Sequence, residues 1–176
     1  MLAWFLIFID SSKIGFPNAG KSSLLNSISR AKPRVSCIPF TTLMPQVGVV
    51  EFEDYRQITV ADLPGLVKGS SVDGGLGFES LRHVERCRCL VFVLDLSLDL
   101  FRQFHDLKCQ LEDYKEGLSR LPSFVVCNKV DLQDASRKFD EFVRLEDTQL
   151  TSVAVSAKFG IGIADFLTKL RSELFA

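Results

Sequence analysis

One short stretch near the start of the chain limits the possible folds more than any other feature. It has the spacing G-x-x-x-x-G-K-[ST] and reads Gly15-Phe16-Pro17-Asn18-Ala19-Gly20-Lys21-Ser22. A loop of this pattern requires a strand before it and a helix after it. The apolar run within residues 5–15 predicts that strand, and Leu24, Leu25 and Ile28 stand at helical spacing behind the loop. The sequence therefore predicts a strand, loop and helix unit at this point.

The rest of the chain continues the alternation of strand-like and helical segments. Such alternation is typical of βα units wound around a mostly parallel sheet. We expect one α/β domain, a three-layer sandwich with a six-stranded, mostly parallel sheet and one antiparallel edge strand. The predicted strands after the first cover residues 47–52, 57–61, 90–94, 124–127 and 150–155, and the predicted helices cover residues 21–29, 78–86, 101–118, 135–144 and 163–174.

The glycine-containing loop has the residue types that bind phosphate groups. Glycines let backbone N–H groups surround phosphate oxygens, and the helix that follows adds the positive end of its dipole. Gly20 allows close approach, and the ammonium of Lys21 supplies a point charge between the β- and γ-phosphates. We expect the hydroxyl of Ser22 to be a ligand for Mg²⁺. The pattern predicts a binding site for a nucleoside triphosphate.

A second motif, Asp62-Leu63-Pro64-Gly65, follows an apolar strand. At that position a carboxylate can hold Mg²⁺ through a water, and a glycine N–H can reach the γ-phosphate. In isolation, this tetrapeptide is as consistent with an ordinary turn as with a site for Mg²⁺ and phosphate. Its distance after the phosphate loop favours the Mg²⁺ and phosphate roles for Asp62 and Gly65.

A third motif, Asn128-Lys129-Val130-Asp131, follows the strand predicted at residues 124–127 and indicates which base is bound. The carboxylate of Asp131 can accept from both guanine N1–H and the guanine amino group, whereas adenine has neither donor in that place. We expect Asn128 to tie the base-binding loop to the phosphate loop, and the stem of Lys129 to cover the face of the base. These residues predict a guanine nucleotide.

A fourth and weaker motif, Ser156-Ala157-Lys158, follows the last predicted strand. There the backbone N–H of Ala157 could donate to guanine O6. A small-molecule kinase or an ATPase with the same phosphate loop is disfavoured, because Asp131 should reject adenine. The four motifs occur in the order that a GTP-binding switch requires.

The composition excludes several other classes of protein. The 176 residues carry a net charge of −1, which indicates no patch for direct binding of nucleic acid. The five cysteines lack paired CxxC spacing and indicate reduced thiols in an intracellular protein. Cys87 and Cys89 would bind a metal only if distant ligands converged on them. The apolar residues 1–9 are too short to span a bilayer, and we expect no transmembrane segment.

Taken together, these residues resemble the Obg family of GTPases, over nearly the whole chain from Ile14 onward. Asp62 to Leu66, Gly75-Leu76-Gly77 and residues 81–86 are similar to the family's second switch and the helix that follows it. The resemblance implies a Ras-like G domain at residues 14–176, with residues 1–13 as an N-terminal segment or first strand. Residues similar to the family's first switch are Pro39, Phe40, Thr41, Thr42 and Leu43, of which Thr42 is implied to be a Mg²⁺ ligand and, with Lys21, Gly65 and Asn18, a catalytic residue.

The resemblance also implies a role, a partner and a compartment. Obg-like proteins act in assembly of the large ribosomal subunit, so the implied partner is that subunit or its assembly intermediates. The run from Cys87 to Ser97 looks closest to mitochondrial members, which favours the mitochondrion over the cytoplasm. The family's glycine-rich N-terminal domain has no counterpart in these residues, and we expect a monomeric, bare G domain or a fragment.

One position departs from the best-known GTPases in a way that bears on hydrolysis. Leu66 stands where Ras-like enzymes carry the glutamine that orients the attacking water, and a leucine cannot do so. We expect slow GTP hydrolysis that depends on a partner or on K⁺, with Asn18 helping to hold the K⁺ ion by resemblance to K⁺-stimulated GTPases. The alternative is a GTP-binding scaffold with negligible hydrolysis. We expect His83 and His105 to be solvent-facing or capping residues rather than general bases. The charged residues 82–88 are expected to form a solvated helix face or a partner surface.

Overall fold

The computed structural model of the protein describes residues 11–16, 18–29, 34–35, 46–62, 84–145 and 150–175. These residues form seven strands, four helices and one 3₁₀ turn, Leu118–Arg120. The strands are β1 Ser11–Ile14, β2 Arg34–Val35, β3 Gln46–Glu51, β4 Gln57–Asp62, β5 Cys89–Asp95, β6 Ser123–Asn128 and β7 Ser152–Val155, and the helices are α1 Lys21–Ile28, α2 Leu100–Tyr114, α3 Ala135–Leu145 and α4 Ile163–Phe175.

All the described strands belong to a single sheet, in the order β2-β3-β4-β1-β5-β6-β7. The pairs from β4 through β7 are parallel, and β3 runs antiparallel to both of its neighbours. The predicted mostly parallel sheet is confirmed, and all six predicted strands are present in it. One detail differs, because the two-residue strand β2 lies outside β3, so the antiparallel strand is not at the edge. Two residues are too few to show the alternation by which a strand is recognised.

The helices cover both faces of the sheet and make two separate cores. Buried residues of α2 and α3 pack on one face, where Phe104 meets Phe92 of β5 at 5.3 Å and Phe142 of α3 at 6.1 Å between ring centroids. Buried residues of α1 and α4 pack on the other face. Every residue of β5 is buried, as expected of a central parallel strand that is covered on both sides. The predicted three-layer sandwich is therefore confirmed.

Most element boundaries agree with the sequence patterns, with one clear error. Leu118 was predicted on the same helix as Phe104, but α2 ends at Tyr114 and Leu118 lies in the 3₁₀ turn. Gly117 has a φ of 82°, which ends the helical path, while Leu118 still contributes to the core. Apolar spacing could not distinguish a continued helix from a turn that buries the same side chain. Of the helix predicted at residues 78–86, only residues 84–86 are described.

No helix in the described part of the chain combines the length and apolar character needed to cross a membrane. Four cysteines are described, and no disulfide joins any two of them within the described part of the chain. Burial raises the pKa of both Cys89 and Cys127 to about 12, so these thiols are unreactive at neutral pH.

Candidate nucleotide-binding site

The phosphate loop lies between β1 and α1, at the carboxyl end of the parallel strands. Its two glycines are required by close packing. A Cβ at Gly15 would overlap the carbonyl oxygen of Val93 in β5, and a Cβ at Gly20 would overlap the side-chain amide of Asn128. Gly20 also has a φ of 90°, in the left-handed region. The loop is thus held against the middle of the sheet and against the base-binding loop.

Lys21 lies inside the phosphate loop, with a buried side chain. Its ammonium donates to the carbonyl oxygens of Gly15 and Phe16, both at 2.9 Å. Burial lowers the pKa of Lys21, and the nearby carboxylate of Asp62 opposes that shift. The ammonium of Lys21 therefore lies within the loop, and its place between the β- and γ-phosphates stays a prediction.

Ser22, at the start of α1, and Asp62, at the end of β4, lie in contact although they are 40 residues apart in the sequence. The Ser22 hydroxyl donates to Asp62 Oδ2 at 2.5 Å. The other carboxylate oxygen, Oδ1, is buried and has no hydrogen-bond partner within the part of the chain that the structure describes. Because a buried carboxylate oxygen without a partner is energetically costly, we expect this oxygen to contact a water or an ion. A hydroxyl beside a carboxylate is the type of oxygen pair that Mg²⁺ accepts, so these residues fit the metal that the motifs imply.

A second buried lysine lies beneath the loop, and the sequence patterns did not single it out. Lys13 of β1 is fully buried, and its ammonium donates to the carbonyl oxygen of Lys21 at 2.7 Å. Burial lowers the pKa of Lys13 to about 7; Asp62 opposes this shift and the charge of Lys21 adds to it. Its signal in the sequence was a lysine in the strand that leads into the phosphate loop, because this residue type is almost never fully buried without a partner.

Asn128, at the end of β6, connects three loops of the site. Its amide nitrogen donates to the carbonyl oxygen of Ala19 at 2.9 Å, and its amide oxygen accepts from the N–H of Ala157 at 3.0 Å. The predicted link between the base-binding loop and the phosphate loop is confirmed. The N–H of Ala157, which the sequence assigns to guanine O6, donates to the amide oxygen of Asn128 in this structure. Its role toward the base stays a prediction.

The remaining residues of the base-binding loop differ in exposure. Asp131 is exposed, so its carboxylate is accessible to an incoming base. Lys129 has a φ of 74°, and its ammonium forms an ion pair with Asp95 at the end of β5. Asp95 was not among the predicted site residues. Ser156 is buried, and its hydroxyl accepts from the N–H of Phe159 at 3.3 Å, which shapes the turn around Ala157.

Part of the predicted site lies outside the described residues, and those assignments stay predictions. They concern Pro17, Phe40, Thr41, Thr42, Leu43, Leu63, Pro64, Gly65 and Leu66. Asn18 is described; it is exposed and has a φ of 64°.

The charged residues 82–88 are described from Val84 onward. Glu85 accepts from Tyr114 at 2.9 Å, and Arg88 donates to the carbonyl oxygen of Leu174 at 3.0 Å. These two charged side chains therefore contact neighbouring helices. The solvated helix face and the partner surface stay predictions for this segment.

Known proteins that are similar to this chain are GTPases, in agreement with a nucleotide-binding site. A family model described as "50S ribosome-binding GTPase" matches residues 12–129. The GTPase Obg of Akkermansia muciniphila is 43% identical over 169 residues, which are 94% of this chain and 47% of that protein. The human mitochondrial ribosome-associated GTPase 2 is 52% identical over 129 residues, which are 73% of this chain and 32% of that protein. The chain therefore spans half or less of the length of these curated relatives.

Solved structures of low sequence identity share the fold. A variant of Aquifex aeolicus Era bound to GDP and AlF₄⁻ has a TM-score of 0.69 at 22% identity, over 94% of this chain and 56% of that chain. The G domain of the T. maritima FeoB iron transporter has a TM-score of 0.67 at 21% identity, over 93% of this chain and 96% of that chain. The chain belongs to the family of 50S ribosome-binding GTPases, and relatives of 36–52% identity place it with the Obg and mitochondrial Obg-like members.

Proposed function

We propose that this chain is a G domain that binds and hydrolyses GTP and acts as a switch in assembly of the large ribosomal subunit. The observation that carries the proposal is the position of Asn128. Its side chain holds the phosphate loop at 2.9 Å and the loop at Ala157 at 3.0 Å. One nucleotide can therefore contact the phosphate loop and the guanine-reading residues at the same time.

We assign distinct roles around the nucleotide to the residues of the site. Backbone N–H groups of the phosphate loop bind the phosphates, with Lys21 at its centre. Ser22 and Thr42, together with Asp62 through a water, would hold Mg²⁺, which when bound would stabilise the negative charge of the phosphate oxygens. The buried oxygen of Asp62 that lacks a partner in the described residues supports this assignment. The N–H of Gly65 is assigned to the γ-phosphate.

The choice of base is assigned to Asp131. Its exposed carboxylate accepts two hydrogen bonds from guanine and none from adenine. The test is displacement of a fluorescent guanine nucleotide: GTP and GDP should displace it, and ATP should need on the order of 10⁴-fold more. Asp131→Asn exchanges an acceptor for a donor and should shift the preference toward xanthine nucleotides. Equal displacement by ATP and GTP, or unchanged GTP affinity of the variant, would contradict this assignment.

We propose that hydrolysis proceeds without a side chain at position 66 that orients the attacking water, because that residue is Leu66 and not a glutamine. The phosphate-loop N–H groups and Lys21 stabilise the charge that develops on the phosphate oxygens. Unassisted turnover should be slow, roughly 10⁻⁴ to 10⁻² per second by analogy with other GTPases. Single-turnover measurement of bound GTP separates this proposal from a scaffold role, because a scaffold would retain GTP for many hours. We assign Asn18 to a K⁺ ion, and equal rates in Na⁺ and K⁺ would exclude that role.

The ribosome and the mitochondrion enter as proposals from the relatives. The human relative is named for its association with the mitochondrial ribosome, and the family model is described as ribosome-binding. We propose that residues 14–176 bind the large subunit in the GTP state, and that the protein acts in mitochondria. Co-sedimentation with isolated large subunits, with a non-hydrolysable GTP analogue or with GDP, tests the first point. Equal binding in both states would argue against a switch. Localisation of the full-length protein in its source cell tests the second.

A further inference from the structure

Asp95, at the end of β5, belongs to none of the four motifs, but its side chain contacts one of them. Its side chain is buried, and one carboxylate oxygen accepts from both the N–H of Ser97 at 2.8 Å and the hydroxyl of Ser97 at 2.6 Å. The other carboxylate oxygen accepts from the ammonium of Lys129. Ser97 thereby orients the carboxylate, so that its other oxygen faces Lys129 in the base-binding loop.

The backbone of Asp95 is held as firmly as its side chain. The buried side chain of Gln103, in α2, accepts from the N–H of Asp95 at 2.9 Å and donates to its carbonyl oxygen at 3.0 Å. The same amide nitrogen donates to the carbonyl oxygen of Asp99 at 3.1 Å, and the carboxylate of Asp99 caps α2 by accepting from the N–H of Arg102 at 3.0 Å. Asp95 is therefore hydrogen-bonded to the capped N-terminal end of α2, which suits a residue that must hold another in place.

Lys129 needs such a support. Its side chain has four rotatable bonds, so fixing it over a base costs conformational entropy at each binding event. In this structure about a third of the Lys129 side chain is exposed, against 7% of Asp95. Partial burial makes their attraction stronger than that of a surface pair. The ion pair anchors the far end of the stem that would cover the base.

We infer that Asp95 is a positioning residue for guanine-nucleotide binding: through its ion pair with Lys129, it holds the Lys129 stem in place before the base arrives. The inference rests on the proposed function, because it concerns the same site. Asp95 does not contact the nucleotide in this scheme. Its contribution is preorganisation, which lowers the entropic cost of binding.

The test measures dissociation constants for a fluorescent GDP. Asp95→Asn keeps the shape and an acceptor for Ser97 but removes the charge that faces Lys129. We expect binding to weaken about tenfold, mainly through faster release. Asp134→Asn is the matched control: it makes the same chemical change at an exposed carboxylate three residues after Asp131, and it should leave the affinity unchanged.

A double-mutant cycle separates positioning from a general structural effect. Lys129→Met removes the ammonium and keeps most of the stem. If Asp95 acts through Lys129, Asp95→Asn should weaken binding about tenfold in the wild type and hardly at all in the Lys129→Met background. An equal loss in both backgrounds would mean that Asp95 only supports the fold, and the inference would be wrong.

The cycle can also be run with Asp95→Glu, which keeps the charge but lengthens the side chain, so a folding defect of the Asn variant does not remove the test. We expect a loss of about threefold that again disappears with Lys129→Met, and an unchanged affinity in the wild-type background would overturn the inference. Failure of the wild type to bind any guanine nucleotide would refute the proposed function instead. Tight wild-type binding with no effect of Asp95→Asn would refute only this inference.

Discussion

Replacing Lys13 by methionine should remove a large part of the pH dependence of stability. Lys13 is fully buried, and burial lowers the pKa of its ammonium to about 7 in the folded protein, from an ordinary value of 10.5. Between these two pH values the unfolded chain binds one proton more than the folded chain. Stability therefore rises with pH over this window, and below pH 7 the cost of burying the charge is fully present.

The size of the effect follows from the pKa. The slope approaches about 1.4 kcal/mol per pH unit once Lys13 is neutral in the folded state. Between pH 6 and pH 9 the free energy of unfolding of the wild type should gain about 2 to 3 kcal/mol relative to the Lys13→Met variant. Methionine is a suitable replacement because it is unbranched and fills a similar space without a charge.

The assay is urea denaturation at several pH values, without nucleotide and with chelator. The buried thiols of Cys89 and Cys127 oppose the trend at high pH, because burial raises the pKa of each to about 12 and the unfolded thiols ionise first. Their effect is common to both proteins and cancels in the difference. Lys115→Met is the control, since Lys115 is an exposed lysine paired with Glu85 at 3.2 Å. Parallel curves for the wild type and Lys13→Met would refute the reasoning.

Three further changes test the packing of the site and the core. Gly20→Ala places a side chain at a φ of 90° and against the amide of Asn128, and it should cost about 1–3 kcal/mol and abolish guanine-nucleotide binding; a variant with normal melting temperature and affinity would contradict this. Asn128→Ala orphans a carbonyl oxygen and an N–H, and chemical denaturation should show a loss of about 1–3 kcal/mol for each group left buried, whereas a loss below 0.5 kcal/mol would mean that water replaces the amide. Phe142→Ala empties a fully buried position beside Phe104 and should lower the free energy of unfolding by about 3–5 kcal/mol in urea denaturation. Nucleotide affinity should be unchanged at temperatures where the variant is folded. A smaller loss of stability would indicate that the core collapses into the space.

Much of the fold could be predicted because its signals are local. Apolar spacing and glycine positions depend on residues within one helical turn or one strand, and they predicted α1, β5 and β6 nearly to the residue. The two-residue strand β2 exists only because Arg34 pairs with Val47, and a pairing partner is not visible in a local pattern. The end of α2 was misjudged for a related reason, since Leu118 is buried by the fold whether or not the helix continues.

The sequence by itself determined which chemistry the site contains, because the phosphate loop and the Asn128 to Asp131 motif depend on residue types at fixed spacing. Only the tertiary structure decided how the charges of those residues are compensated. Lys129 meets Asp95 across 34 residues, and Lys13 comes to lie fully buried beneath the phosphate loop. Attraction between charges and the cost of burying them depend on distance and on exclusion of water, and both are set only when the strands pair and the helices cover them.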